Sequence, residues 1–404
     1  MNLHRIVSTF AVSTALATIL GCGAITGKAT SSDIIQSTLA PAATGHGATV
    51  IDMKENPNDF SHAVNHIIVK VKEARAANQK VIIALGELHS ASAHARLAEL
   101  VRQGLKRYGI RDSVIAQEVH YNLLEKFLLR LFPDEKKNFY LGVTQALPLL
   151  ELNDPVRYNK LQVLALRALG NSLNSLANIA NLTTWLKEGV DVRLIDISKA
   201  GTYLDMGDNR TAAFVNSHAS KDIDEKTYIS TTETEGMRLR NLWMAEHLHK
   251  ILLQTDIVIL QTGNTHLGGN INGVYLAEYG QSLHALFNNA TEDNIRFLTI
   301  FQEYSTLTMF KNIALSGQTV MNNPNTLILR GGNSYWRSDF QLEKEITVLK
   351  EISDASGIPE ATSPFESEED FHAQNTKDKQ TFREELENVI LTYSPHVYPV
   401  PALF

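Results

Sequence analysis

Three short segments of this sequence set carboxylates and imidazoles directly after apolar runs. They are Gly86-Glu87-Leu88-His89 after Val81–Leu85, Glu118-Val119-His120 after Val114–Gln117, and Gly263-Asn264-Thr265-His266-Leu267-Gly268-Gly269 after Ile257–Gln261. Two carboxylates and three imidazoles of this kind can bind a divalent metal, or activate water by general-base catalysis while a neighbouring acid protonates the leaving group. Taken singly, a Glu or His after a strand more often caps a helix or faces solvent. Together they carry chemistry only if the apolar runs are strands of one parallel sheet, because open parallel sheets bind ligands outside their carboxyl ends. Other histidines fit this pattern poorly. On a regular helix His89 and His94 would stand about 140° apart, and His94, His218, His247 and His249 do not follow strands.

The elements that must position these groups alternate between strand and helix. Val81–Leu85, Ser113–Gln117, Val190–Ile197, Asp256–Gln261 and Arg296–Gln302 read as strands. Between them, Ala93, Leu97, Leu100, Val101 and Leu105 recur at helical spacing, as do Leu124, Phe127, Leu128 and Leu131 within Tyr121–Phe132. A further helix spans about Met237–Leu253, and the Leu- and Ala-rich stretch Asp154–Lys187 reads as two helices broken at Gly170-Asn171, a helical subdomain or lid. Continuous apolar strands alternating with helices give an α/β class: a mostly parallel sheet covered by helices on both faces. Beyond Tyr304 the pattern is less regular. Thr326–Leu329 reads as an edge strand, Leu342–Ile352 and Thr381–Leu391 as helices, and the polar stretch Ser363–Lys379 as flexible.

The amino terminus reads as an address. One cation, Arg5, precedes an uncharged run from Ile6 to Leu20, followed by Gly21 and Cys22. Fifteen helical residues cover about 22 Å, short of the roughly 30 Å hydrocarbon core, so a permanent span is disfavoured. Ile19-Leu20-Gly21-Cys22 resembles a bacterial lipobox, with the sole cysteine of the chain at the position that receives lipid. The resulting division is a signal peptide over 1–21, a Gly/Ala/Ser/Thr-rich tether over 22–49, an α/β domain over 50–304 with a helical insertion near 154–187, and a partly flexible C-terminal extension over 305–404. The expected location is the cell envelope, lipid-anchored, with Gly23 after Cys22 favouring the outer membrane.

Composition removes several classes. The 404 residues carry 37 Lys plus Arg against 44 Asp plus Glu, without basic runs, so the phosphate-neutralising charge of a nucleic-acid binder is missing. A single Cys excludes an intrachain disulfide. No His-Glu-x-x-His zinc-protease motif and no Gly-x-Ser-x-Gly nucleophile elbow occurs.

Ala84–His89, the strand ending at Glu118, Arg240-Asn241-Leu242-Trp243-Met244-Ala245 and Gly263–Gly268 stand in the order of the landmarks of one superfamily. Over about residues 78–302 the chain resembles the group that joins ChaN haem-binding lipoproteins, Tiki and TraB proteins and erythromycin esterases. The resemblance implies that Glu87, His89, Glu118 and His266 form a water-activating or metal-binding set. Its tentative metal ligands are His89, Glu118 and His266, for manganese, cobalt or zinc. Arg240 matches the family's Arg-Asn element, where a guanidinium holds a substrate carboxylate or a developing oxyanion, or forms a structural salt bridge to Glu87 or Glu118. Asn241 follows from the same element, whereas His120 rests on its placement alone. Two activities follow from the family. One is hydrolysis of an ester or amide bond in a small-molecule or peptide substrate, and the other is haem or iron binding for uptake without catalysis. A third reading is an inactive surface scaffold.

Overall fold

The computed structural model describes residues 47–53, 58–87, 92–169, 176–220, 228–268, 270–271, 274–275, 281–288, 294–303, 318–330, 342–356, 358 and 364–396. The signal, the lipobox at Cys22 and the tether up to residue 46 lie outside these residues, as does His89. The strands in chain order are β1 Thr49–Asp52, β2 Lys80–Glu87, β3 Ser113–His120, β4 Val192–Asp196, β5 Lys199–Ala200, β6 Tyr203–Leu204, β7 Ile257–Gly263, β8 Asn270–Ile271, β9 Val274–Tyr275, β10 Ile295–Glu303 and β11 Thr326–Arg330. Seven of them form one sheet in the order β1-β11-β10-β2-β7-β3-β4, with every neighbouring pair parallel. The pairs β5/β6 and β8/β9 are two-residue antiparallel ribbons.

The apolar runs split by alternation, as the two-residue period of a strand requires. Val81, Ile83 and Leu85 enter one core, with Ile115, Ile257, Ile259, Leu298 and Ile300; Ile82 and Ala84 enter the other, with Val114, Ala116, Val258 and Leu260. The first core is covered by helices Asn58–Ala76 (α1), Ser92–Arg107 (α2) and Pro155–Ala168 (α5), the second by Thr234–Leu252 (α8) and Leu283–Asn288 (α10). The α/β architecture with helices on both faces is therefore present as expected.

Between β3 and β4 the chain forms Leu123–Leu131 (α3), Lys137–Asn153 (α4), α5 and Leu176–Glu188 (α6). Asp154 caps α5, accepting from the Arg157 N–H at 2.9 Å, with Pro155 in the first turn. The stretch read as two helices of a helical subdomain or lid is helical as read, and its helix α5 packs on the sheet: Leu161, Ala165 and Leu166 share a core with it. Its continuous apolar face requires that burial.

Two C-terminal expectations also change. β11 is paired on both sides, with β10 and β1, so it is interior, and the edges are β1 and β4. The polar stretch expected to be flexible enters Glu368–Tyr393 (α13), begun by Ser367, which accepts from the Asp370 N–H at 3.2 Å, with three acidic residues in the first turn. Phe371, Phe382, Leu386, Val389 and Ile390 are buried. Four of them, Phe382 to Ile390, join the core of α4 and α5, while Phe371 packs with Phe365 and Ile346. A narrow apolar stripe is enough to dock a helix whose other positions are charged. Asp378 pairs with Arg167, and Asn375 donates to the Arg167 and Ala168 carbonyls at the end of α5.

Candidate active site

At the carboxyl edge, β3 continues outward to β4 whereas β7 continues back across β2 to β10. Connections that leave neighbouring strands in opposite directions open a crevice there. Glu118 on β3 has the parity of Val114 and Ala116, and Thr262 on β7 that of Val258 and Leu260, so both face α8. Glu118 Oε2 accepts from Thr262 Oγ1 at 2.9 Å and from the Gly263 N–H at 2.7 Å. Its Oε1 meets Arg240 Nη2 and, at 3.0 Å, His266 Nε2.

Arg240 projects from α8 into this edge with 7% of its side chain exposed. Nε and Nη2 donate to Asp196 Oδ1 and Oδ2 at 3.2 and 2.9 Å, Nη2 also to Glu118, and Nη1 to the Thr231 carbonyl at 3.3 Å and Met237 Sδ at 3.2 Å. All five N–H groups of the guanidinium are thereby used. Asp196, at the end of β4, also accepts from the Ile197 N–H at 2.9 Å and pairs with Lys199 Nζ at 2.6 Å. Burial alone would raise the Asp196 carboxyl, but Arg240 and Lys199 outweigh it and hold the group below the usual carboxylate range. Burial likewise opposes the charge on Arg240, and the two carboxylates overcome it and raise its pKa.

His266 is 2% exposed, on the short helix Asn264–Leu267 (α9) that begins directly after β7. Its Nδ1 meets Asn241 Oδ1 at 2.6 Å, and Asn241 Nδ2 donates to the Gln281 carbonyl at 2.8 Å. That second bond fixes the amide so that its oxygen faces the ring, and Nδ1 therefore donates. Nε2 faces a carboxylate oxygen, so one proton is held between His266 and Glu118. Burial pulls the imidazole below its ordinary value, against the attraction of Glu118.

Gly86 lies beside this turn. A Cβ there would stand 2.1 Å from Asn264 Oδ1 and 3.1 Å from the Ile300 carbonyl, so a larger residue would have to displace the Asn264 amide that sits between β2 and α9.

Glu118, Arg240, Asn241 and His266, expected from the sequence to belong together, share one buried network. His120 adjoins it, opposite Asp196 in register, with its Nδ1 accepting the Lys199 backbone N–H at 3.1 Å. Burial, reinforced by Lys199, pushes its pKa down to about 3. Glu87 ends β2 in register with Gly263 but shares the parity of Leu85, so the two Glu side chains leave the edge toward opposite faces. Of the two expected partners for Arg240, Glu118 is one, and Asp196 is a second that sequence reasoning missed along with Lys199 and Thr262. The signal for Asp196 was present: it is a carboxylate ending the apolar run from Val190.

Of the expected metal set, Glu118 and His266 are brought together, and His89 lies outside the described residues. Glu118 Oε1 and His266 Nε2 face each other at 3.0 Å, and the other Glu118 oxygen is held by Thr262 and Gly263, so in this arrangement the two side chains bond to one another and to the protein. Among the described residues no group of three or more His, Cys, Asp or Glu could hold a metal ion, and no helix is long and apolar enough to cross a membrane.

No family model and no curated protein matches this chain. Among solved structures, the type III effector HopBA1 aligns at 11% identity over 72% of this chain and 99% of that chain. Its TM-score of 0.29 is too low to assign an activity.

Proposed function

We propose that this chain is a membrane-anchored hydrolase, akin to the ChaN, Tiki, TraB and erythromycin-esterase group, that cleaves an ester or amide bond at the carboxyl edge of β2, β3 and β7. The observation that carries the reading is the concentration of buried charge on Glu118, Asp196, Arg240 and His266 at a topological switch point. Such clusters add little stability over apolar packing, so their position where parallel sheets bind ligands supports a chemical role.

The roles follow from burial and position at the edge. Glu118, Asp196 and Arg240 are saturated and act as positioning residues, fixing the ends of β3, β4 and β7 and the turn at Gly263. Glu87, partly exposed and in register with Gly263, takes a proton from water while the water oxygen bonds to the substrate carbonyl carbon. Collapse of the tetrahedral intermediate breaks the ester or amide bond, and Glu87 returns the proton to the departing alkoxide or amine.

An ester and amide panel tests this. Glu87→Gln is expected to lower kcat by about 10²-fold or more with little change in KM. Unchanged turnover in that variant removes Glu87 as the base. A Soret band in the purified protein without hydrolysis of any panel member replaces the hydrolase reading with haem binding.

A further inference from the structure

The corner of the site around His120 is rich in donors and short of free acceptors. A backbone N–H can only donate, so the bond from the Lys199 amide to Nδ1 requires a lone pair there and puts the ring proton on Nε2. Among the described residues no hydrogen-bond partner faces that Nε2–H, and the ring is partly exposed. Lys199 Nζ pairs with Asp196 and Lys126 Nζ with Asp205, which leaves further N–H groups on both ammoniums. Lys126 reaches this corner from α3, and Asp205 is tied to it through Ser198, whose carbonyl accepts from the Asp205 N–H at 3.0 Å. The acceptors are engaged: Asp196 as described, and Asp205 by Lys126, by the Gly207 N–H at 3.1 Å and by Ser198 Oγ at 3.4 Å.

We propose that His120, Lys126 and Lys199 form a subsite for a carboxylate of the ligand, with the neutral His120 Nε2–H as its oriented donor. The inference rests on the hydrolase reading and names its substrate class, an ester or amide that also carries a carboxylate. A monoanion suits the charge balance better than a phosphate dianion. Lys126, Lys199 and Arg240 are matched by Asp205, Asp196 and Glu118, so the corner offers N–H groups without excess positive charge. The groups facing His120 are Asp196 from the end of β4, Lys199 from β5, Arg240 from α8 and Lys126 from α3. Burial above all, helped by Lys199, keeps the imidazole neutral, so it binds as a donor and not as an ion.

The test uses the full chain with 15N-labelled histidine, with His120 identified by its loss in His120→Gln and, independently, by the contact of its ring with the Lys199 amide proton. At pH 7 the Nε2–H tautomer is expected, and acetate should shift it saturably whereas N-methylacetamide should not. Lys126→Met should weaken acetate binding about threefold, as for one partly exposed ion pair. An Nδ1–H or doubly protonated ring, an equal response to the neutral amide, or unchanged acetate affinity in Lys126→Met overturns the subsite. Acetate binding by a protein that hydrolyses no panel member removes only the hydrolase reading. Hydrolysis without an acetate response removes only the subsite.

Discussion

Arg240→Met separates a positioning guanidinium from one that acts on substrate. The substitution keeps length and apolar volume but deletes three donated bonds to carboxylates, two to Asp196 and one to Glu118. Asp196 keeps Lys199 and the Ile197 N–H, and Glu118 keeps Thr262, Gly263 and His266. Hydrogen bonds to charged groups are worth about 1.5–3 kcal/mol each, but these share acceptors and do not add. The expected loss is that of breaking a buried pair, about 3–5 kcal/mol. Arg240→Lys keeps the charge and loses the planar fork, and should cost about 1.5–3 kcal/mol, one such bond. Urea unfolding at several pH values measures both. The sign follows from Asp196, whose folded pKa is depressed: its contribution is full above the unfolded value and is lost as pH falls toward the folded one. The variant lacks most of that contribution, so its gap from wild type should hold from pH 7 to about 4 and narrow as pH drops below about 4. An Arg240→Met chain within about 1 kcal/mol of wild type, or a gap that ignores pH, refutes the reasoning. So does an Arg240→Lys chain of normal stability that has lost turnover.

Three further outcomes are expected. Phe382→Ala, at a fully buried position of α13, should lower unfolding stability by about 3–5 kcal/mol, and a loss under 1 would mean the helix is not docked. Burial pushes His284 down to about 4 from an ordinary 6.5, so its stabilising contribution is full above 6.5 and is lost as pH falls from there toward 4. His284→Gln should therefore flatten the fall in urea midpoint over that interval, and an unchanged slope would contradict a neutral buried ring. Cys22→Ala should move the protein from membrane to soluble fraction and abolish palmitate labelling, whereas a membrane-bound variant would exclude lipid anchoring.

The legible parts of the fold are those where local pattern and tertiary demand coincide. Val81–Leu85 and Ile257–Gln261 read as buried strands because a strand covered on both faces has no polar alternation. α8 showed in advance through Met244, Leu248 and Ile251, which keep helical spacing whatever they pack on. The second half of α13 reads as a helix over Thr381–Leu391, but its first half hid because Phe371 stands there among charged side chains, and only the Phe365 pocket turns it into a buried position. β11 looked peripheral for a related reason, since β1, the strand that encloses it, is only four residues long.

Glu118, His120, Arg240 and His266 were legible as chemistry-bearing types at strand ends or in an Arg-Asn element, because residue type and local periodicity are properties of the sequence itself. Strand order, register and parity decided the rest. They place Asp196 beside His120, fill every N–H of Arg240, engage both oxygens of Glu118 and turn Glu87 toward the other face. Whether a side chain keeps an open valence depends on partners up to 148 residues away along the chain, as for His266 and Glu118, and only the packed sheet brings them within bonding distance.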